Sequence, residues 1–270
     1  MPSFFSYQHS EIHYTRWGKG KKTLVCFHGY GDDSDSFSFL QQELENEFSA
    51  IAIDLPYHGK TKWINKDLFT PQRLVEILNG IFEQEQLEKN ETYYLGYSMG
   101  GRVILQLIEL IPASIRKIIL IAPDGLVVNN WYWLATQTTP GNKLFHYVMK
   151  RPGPFLKMVS TGKKLGWVNK SVFRFVHHYL DNEQMRDDLY TRWTTLRKII
   201  PHLPAIQKNI MQYKISTRFL YGKHDRIILS HRAEKFCKPL KNLAIINTIP
   251  AGHQLLQEKY KDEIIYLINH

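Results

Sequence analysis

Tyr93-Tyr94-Leu95-Gly96-Tyr97-Ser98-Met99-Gly100-Gly101-Arg102-Val103, followed by an apolar run to Pro112, decides the architecture. A short β-rich run, Thr92 to Leu95, enters a glycine-flanked serine. Val103, Ile104, Leu107, Ile108 and Ile111 then recur with a period near 3.6. The stretch reads as strand, sharp turn, helix. A serine hydroxyl is a poor nucleophile, so the turn must hold its oxygen clear of the sheet, where a histidine can reach it. Gly96 and Gly100 let strand and helix pass closely enough for that turn. The helix start also places a free N–H, that of Met99, beside the serine, where it can donate to a developing oxyanion.

The pattern extends on both sides. Phe4 to Tyr7 and Glu11 to Trp17 read as two strands at an antiparallel edge, and Thr23 to Phe27 as a buried parallel strand. That strand ends in His28-Gly29-Tyr30-Gly31, a loop whose Tyr30 N–H supplies a second oxyanion donor. Ser36 to Asn46 is expected to be helical, Ala50 to Pro56 a strand, and a helix capped by Thr70 and opened by Pro71 to run to about Leu87. His28 at a strand end reads as a structural imidazole, and Asp54 and His58 as residues that pin a loop. Lys117 to Ala122 is a further strand, closing at Pro123-Asp124-Gly125. Such alternation predicts a parallel sheet with helices on both faces and a ligand site at the carboxyl ends of the strands.

From about Leu126 to Gln212 strands disappear. Lys143 to Lys150, Asn169 to Leu180 and Glu183 to Ile200, the last capped by Asp181, read as helices. Trp131, Trp133, Trp167, Trp193, Phe145, Phe155, Phe173 and Phe175 fall here and are expected mostly to hold this segment together. Pro152-Gly153-Pro154 and Thr161-Gly162 read as joints between helices. The segment is taken as an inserted helical cap, residues 125–212, on a core of residues 1–124 and 213–270. Strands return at Ser216 to Tyr221 and Ala244 to Ile249, with a helix from Ser230 to Cys237 between them and a closing helix to Ile268.

Composition fits an ordinary globule: 270 residues, 43% hydrophobic and 22% charged. No apolar run is long enough to span a membrane, and the N-terminus lacks the pattern of a signal peptide. Cys26 and Cys237 are far apart and without metal-ligand spacing, so they are expected to be reduced thiols of a cytoplasmic protein. The net charge of +10 is uneven. Gly125 to Lys214 holds 14 Lys/Arg against 4 Asp/Glu, so the whole excess sits in one segment, able to attract an anionic substrate or surface. No nucleic-acid-binding motif accompanies it.

Ser98, Asp225 and His253 each follow a predicted strand, in the order serine, acid, histidine. In that arrangement His253 is the general base and Asp225 fixes its tautomer. Asp124 also follows a strand and is a rival for the acid.

With those residues in place the chain resembles the α/β-hydrolase superfamily over nearly its whole length. The resemblance rests on His28-Gly29-Tyr30-Gly31, Asp54-Leu55-Pro56-Tyr57-His58-Gly59, Gly96-Tyr97-Ser98-Met99-Gly100-Gly101, Gly222-Lys223-His224-Asp225 and Ala251-Gly252-His253. It implies an eight-stranded, mostly parallel sheet with helices on both faces, an inserted helical cap, and an active site without metal or cofactor. The elbow heptapeptide, ending in Arg102, also resembles that of the menaquinone-pathway synthase that eliminates pyruvate to form 2-succinyl-6-hydroxy-2,4-cyclohexadiene-1-carboxylate. In that family the elbow tyrosine and arginine, here Tyr97 and Arg102, help bind an anionic substrate. The expected function is a serine hydrolase acting on a carboxylic ester or related acyl or carbon-carbon bond of a small molecule with an apolar part and a negative group. The synthase-like lyase and a non-catalytic ligand-binding protein on the same scaffold are the alternatives. Oligomeric state is not legible.

Overall fold

A computed structural model describes residues 2–64, 68–127, 130–167, 173, 176, 177 and 179–270. Eight strands form one sheet: β1 (Pro2–Tyr7), β2 (Ser10–Trp17), β3 (Lys22–Phe27), β4 (Phe48–Ile53), β5 (Thr92–Tyr97), β6 (Ile115–Ile121), β7 (Ser216–Gly222) and β8 (Ala244–Ile249). Their order is β1-β2-β4-β3-β5-β6-β7-β8. β1 and β2 pair antiparallel, as do β2 and β4, and every other neighbouring pair is parallel. The order explains the sequence: β3, β4, β5 and β6 are interior strands covered on both faces, so they read as continuous apolar runs rather than alternating ones.

The chain divides into two compact units, residues 1–127 with 198–270, and residues 128–197. In the first, helices follow the strands. Ser34–Leu40 is a 3-10 turn that runs into the short helix α1 (Gln41–Leu44), so the helix expected over Ser36 to Asn46 is mostly the tighter form. α2 (Pro71–Gln84) opens as expected, with the Thr70 hydroxyl accepting from the Arg73 N–H at 3.3 Å. It stops short of Leu87 because Gln86 adopts φ 53°, a left-handed conformation that ends a helix. α3 (Met99–Leu110) buries every residue from Met99 to Ile108, which makes it a core helix rather than a half-exposed one.

The helical unit contains α4 (Asn130–Gln137), α5 (Thr139–Lys150), α6 (Pro152–Lys164) and α7 (Glu183–Thr195). Pro152 is the first residue of α6, as its fixed φ favours, and Gly162 is buried inside that helix, so Thr161-Gly162 is no joint. α7 is capped by Asn182, whose side chain accepts from the Met185 N–H at 3.0 Å; Asp181 instead meets His177 at 3.0 Å. The helix expected over Asn169 to Leu180 falls largely outside the described residues, as does Phe175; Phe173, Val176, His177, Tyr179 and Leu180 are helical. The ring of Trp193 lies 5.1 Å from Tyr132 and 5.6 Å from Phe145, centroid to centroid, and these aromatics do hold the unit together. Trp131, Trp133 and Trp167 keep much of their surface in water, at 79%, 49% and 82% exposed.

Residues 198–212 join the sheet unit rather than the helical one, which corrects the expected boundary. α8 (Leu203–Tyr213) buries Ile206 and Ile210, and the Asn209 amide donates to the Ile108 carbonyl of α3 at 2.8 Å. α9 (His231–Cys237) and α10 (Lys261–Asn269) complete this unit. Among the described residues no helix is long and apolar enough to cross a membrane.

Candidate active site

The elbow forms as its glycines predict. Ser98 sits at φ 48° and ψ −110°, a strained conformation for a residue with a Cβ, between the last residue of β5 and the first of α3. Its backbone is held from both sides: its N–H donates to the Ile121 carbonyl at 2.9 Å, and its carbonyl accepts from Gly101 at 3.0 Å and Asp124 at 2.9 Å. A Cβ on Gly100 would stand 2.0 Å from the Phe27 carbonyl oxygen, so only glycine lets the first turn of α3 press against the end of β3. Met99 opens α3, and its N–H belongs to the first turn, which has no acceptor within the helix.

Two further loops meet at the carboxyl ends of β7 and β8. The Lys223 N–H donates to the Ile249 carbonyl at 2.8 Å and the His224 N–H to the Ala251 carbonyl at 2.9 Å, so the loops run together past the strand ends. A Cβ on Gly222 would fall 2.2 Å from the Gly252 oxygen and 2.3 Å from the Ala251 oxygen; glycine there lets the loops close. Closure brings Asp225 to His253. His253 Nδ1 lies 2.7 Å from Asp225 Oδ2, and His253 Nε2 lies 3.2 Å from Ser98 Oγ. A carboxylate can only accept, so Nδ1 carries the hydrogen and Nε2 is left as the acceptor facing the serine hydroxyl.

Asp225 Oδ1 accepts from the N–H groups of Ile227 at 2.7 Å and Ile228 at 3.0 Å. Burial alone would raise its pKa, but the His253 hydrogen bond and those two N–H groups outweigh burial and hold the carboxyl below its ordinary value. The rival acid is engaged elsewhere. Asp124 Oδ1 accepts from the Gly125 N–H at 2.8 Å, and its Oδ2 lies 3.6 Å from Arg102 Nε.

Arg102 is buried, 9% exposed, and its Nε lies within ion-pair range of Asp124 on the loop after β6. Tyr97 is likewise buried. Its hydroxyl donates to the His253 carbonyl at 3.2 Å and its ring lies 5.6 Å from the imidazole, so it braces the histidine loop. Burial, followed by the charges of Asp32 and Asp225, raises the Tyr97 pKa, and the phenol stays protonated.

The loop after β3 carries the second expected donor, Tyr30, whose ring meets His58 edge-on at 5.7 Å. His28 is scaffold: Nδ1 meets the Gly29 carbonyl at 2.7 Å, and Nε2 accepts from the Leu55 N–H at 3.0 Å. Burial lowers its pKa, in keeping with a neutral ring. Asp54 and His58 pin their loop as expected, with Asp54 taking the N–H groups of Ser34 and Lys60 and His58 Nδ1 meeting the Pro56 carbonyl.

Sequence reading missed Asp32. A Cβ on Gly29 would stand 2.7 Å from Asp32 Oδ2 and 2.8 Å from the Tyr97 ring, so carboxylate and ring flank the same loop position. Burial raises the Asp32 pKa, and the fields of the His28 imidazole and, less strongly, of His253 oppose the rise. The only advance signal was an acidic pair after a glycine loop. Among the described residues no three His, Cys, Asp or Glu side chains lie close enough to hold a metal ion. Cys26 is buried and Cys237 half-buried, both free; burial raises both thiols, Cys237 to about 12.

Comparison with known proteins identifies the family of this fold. A family model described as the alpha/beta hydrolase fold matches residues 22–260. YugF of Bacillus subtilis (strain 168), an uncharacterized hydrolase, is 29% identical over 250 residues, covering 89% of this chain and 86% of that protein. A second B. subtilis protein, provisionally named 2-succinyl-6-hydroxy-2,4-cyclohexadiene-1-carboxylate synthase, is 32% identical over 100 residues, 37% of this chain and 35% of its own. A solved thermophilic esterase from Thermogutta terrifontis superposes with a TM-score of 0.69 at 16% identity, over 100% of this chain and 97% of that one, a likeness of fold. The matched segment begins at β3 and takes in the elbow and the loops after β7 and β8, and on that match the chain belongs to the alpha/beta hydrolase fold family.

Proposed function

We propose that the protein is a serine hydrolase that cleaves a carboxylic ester through a covalent acyl intermediate. The observation that carries this reading is the position of His253, with Nδ1 at 2.7 Å from Asp225 and Nε2 at 3.2 Å from Ser98. Ser98 Oγ attacks the ester carbonyl carbon while its proton passes to His253 Nε2. The negative charge moves to the carbonyl oxygen, where the N–H groups of Tyr30 and Met99 stabilise it. As the tetrahedral adduct collapses, the alkoxide leaves with the proton from Nε2 and an acyl-Ser98 ester remains. Water attacks that ester, gives a proton to Nε2, and Ser98 departs with it as the carboxylic acid is released. Asp225 orients the imidazole and stabilises its protonated form; no metal or cofactor enters these steps.

Asp32 qualifies the expectation of an anionic substrate. A carboxylate near His253 and Tyr97 disfavours negative charge next to the scissile bond, so any acidic group on the substrate belongs at its far end. The lyase alternative would use Arg102 for an anionic substrate group, and in this structure the Arg102 Nε lies 3.6 Å from Asp124 Oδ2. Hydrolysis of p-nitrophenyl esters from acetate to decanoate by wild type and Ser98→Ala tests the proposal. Turnover that vanishes in the variant is the expected result, with the preferred chain length sizing the acyl site. A folded wild type without esterase activity, yet releasing pyruvate from the cyclohexadiene precursor, would establish the lyase instead. Failure of both reactions would leave a binding protein.

A further inference from the structure

Thr139–Trp167 contains six Lys/Arg residues and no Asp or Glu. It folds as α5 and α6, which are separated only by Arg151. On α6 the exposed positions include Pro154, Lys157, Met158, Thr161 and Lys164, with Leu165 at its C-terminal cap, which recur at three- and four-residue intervals and form one stripe. The inward residues are Val159 and Gly162. Apolar side chains thus stand on the outer face: Met158 is 62% and Leu165 57% exposed, with Leu144 at 62% and Tyr147 at 50% on α5, and Trp167 follows α6 at 82%. Among the described residues only Lys150 of the six cations has a carboxylate partner, Asp187 at 2.8 Å.

A solvated helix face would place polar groups where these apolar ones stand, and a protein partner would call for a shaped pocket around a few anchors. Here long, protruding apolar chains alternate with lysines, whose stems can lie along apolar matter while their ammonium groups reach outward. Tyr147 and Trp167, both exposed in this stretch, are of the types that suit the boundary between hydrocarbon and water. A single sign of charge completes the match to an anionic bilayer.

We propose that the outer face of α5 and α6 docks onto an anionic phospholipid surface, with the helices lying in the headgroup plane. The inference stands apart from the esterase reading, because it needs no catalytic group. Sedimentation of the full chain with vesicles of phosphatidylcholine alone, or with about one third phosphatidylglycerol, at about 0.1 M salt tests it. The expected result is partitioning at least about tenfold stronger on the anionic vesicles. Lys157→Glu with Lys164→Glu should lower that partitioning about tenfold or more, and Met158→Ser with Leu165→Ser about fivefold. Lys235→Glu with Lys238→Glu, an equal charge change on and after α9, should leave it within about twofold. Circular dichroism and thermal melting confirm that each variant is folded; should the glutamate pair misfold, Lys157→Gln with Lys164→Gln replaces it. Equal binding to both vesicle types, or none to either, would overturn the proposal. So would an α9 pair that loses as much as the α6 pair, or an apolar pair that loses nothing, since either result means diffuse attraction without a docked face.

Discussion

The sheet unit holds two histidine–carboxylate pairs of the same geometry and different use. His253 Nδ1 meets Asp225 Oδ2 at 2.7 Å, and His13 Nδ1 meets Asp54 Oδ2 at 2.7 Å. Each carboxylate also takes two backbone N–H groups, from Ile227 and Ile228 in one case and from Ser34 and Lys60 in the other. The second imidazole nitrogen makes the difference. His253 Nε2 faces the Ser98 hydroxyl, whereas His13 Nε2 is buried with no hydrogen-bond partner among the described residues. Exposure differs too: the His253 side chain keeps 17% of its surface and His13 only 1%. A paired carboxylate makes an imidazole well oriented; a nucleophile and access make it useful.

Replacing the hydroxyl that distinguishes the pairs should give the largest effect. Ser98→Ala is expected to lower kcat for p-nitrophenyl acetate by about four orders of magnitude with little change in melting temperature; a loss under about tenfold would remove Ser98 as nucleophile. Parallel substitutions in the two acids come next. Asp225→Asn should cost about 10³-fold or more in kcat because the amide favours the wrong tautomer. Asp54→Asn should leave kcat per folded molecule within a few-fold but lower unfolding stability by about 3 kcal/mol, read by urea denaturation, because it breaks a buried pair. Equal catalytic losses from the two would erase the distinction drawn between them.

Loop closure ranks third. Gly222→Ala pushes a methyl group at the Ala251 and Gly252 carbonyls and should displace His253, with kcat falling about tenfold to a hundredfold.

The smallest effect is on stability. Because the folded Asp225 pKa lies below the unfolded value of about 3.9, its pairing adds stability that is complete above that pH and lost as pH falls through the lower folded value. The stability gap between wild type and Asp225→Asn should therefore narrow below about pH 4. A gap unchanged from neutral to acid pH would deny the pairing that stabilising role.

Legibility followed interaction range. Strands β3 to β6 were evident because strands covered on both faces must be apolar throughout, and the elbow because Gly96, Ser98 and Gly100 stand together in the chain. α6 was read as two breaks, since Pro152 and Gly162 each discourage a helix interior while one merely starts this helix and the other packs within it. The approach of Arg102 Nε to Asp124 was not legible, because the two residues lie on separate segments of the chain. The exposed Trp131 and Trp167 were read as packing, because hydropathy ranks a side chain without saying what covers it.

The sequence by itself determined the alternation of strands and helices, the family, the order serine, acid, histidine, and the confinement of the positive charge to one segment; all follow from local spacing or composition. Tertiary structure decided which acid meets His253, where Arg102 and Tyr97 direct their polar heads, that Asp32 lies near the histidine, and which apolar side chains of α5 and α6 remain in water. Each of those rests on groups brought together by the sheet order and by the closure at Gly222. Pairing across loops depends on distances that residue types alone do not encode.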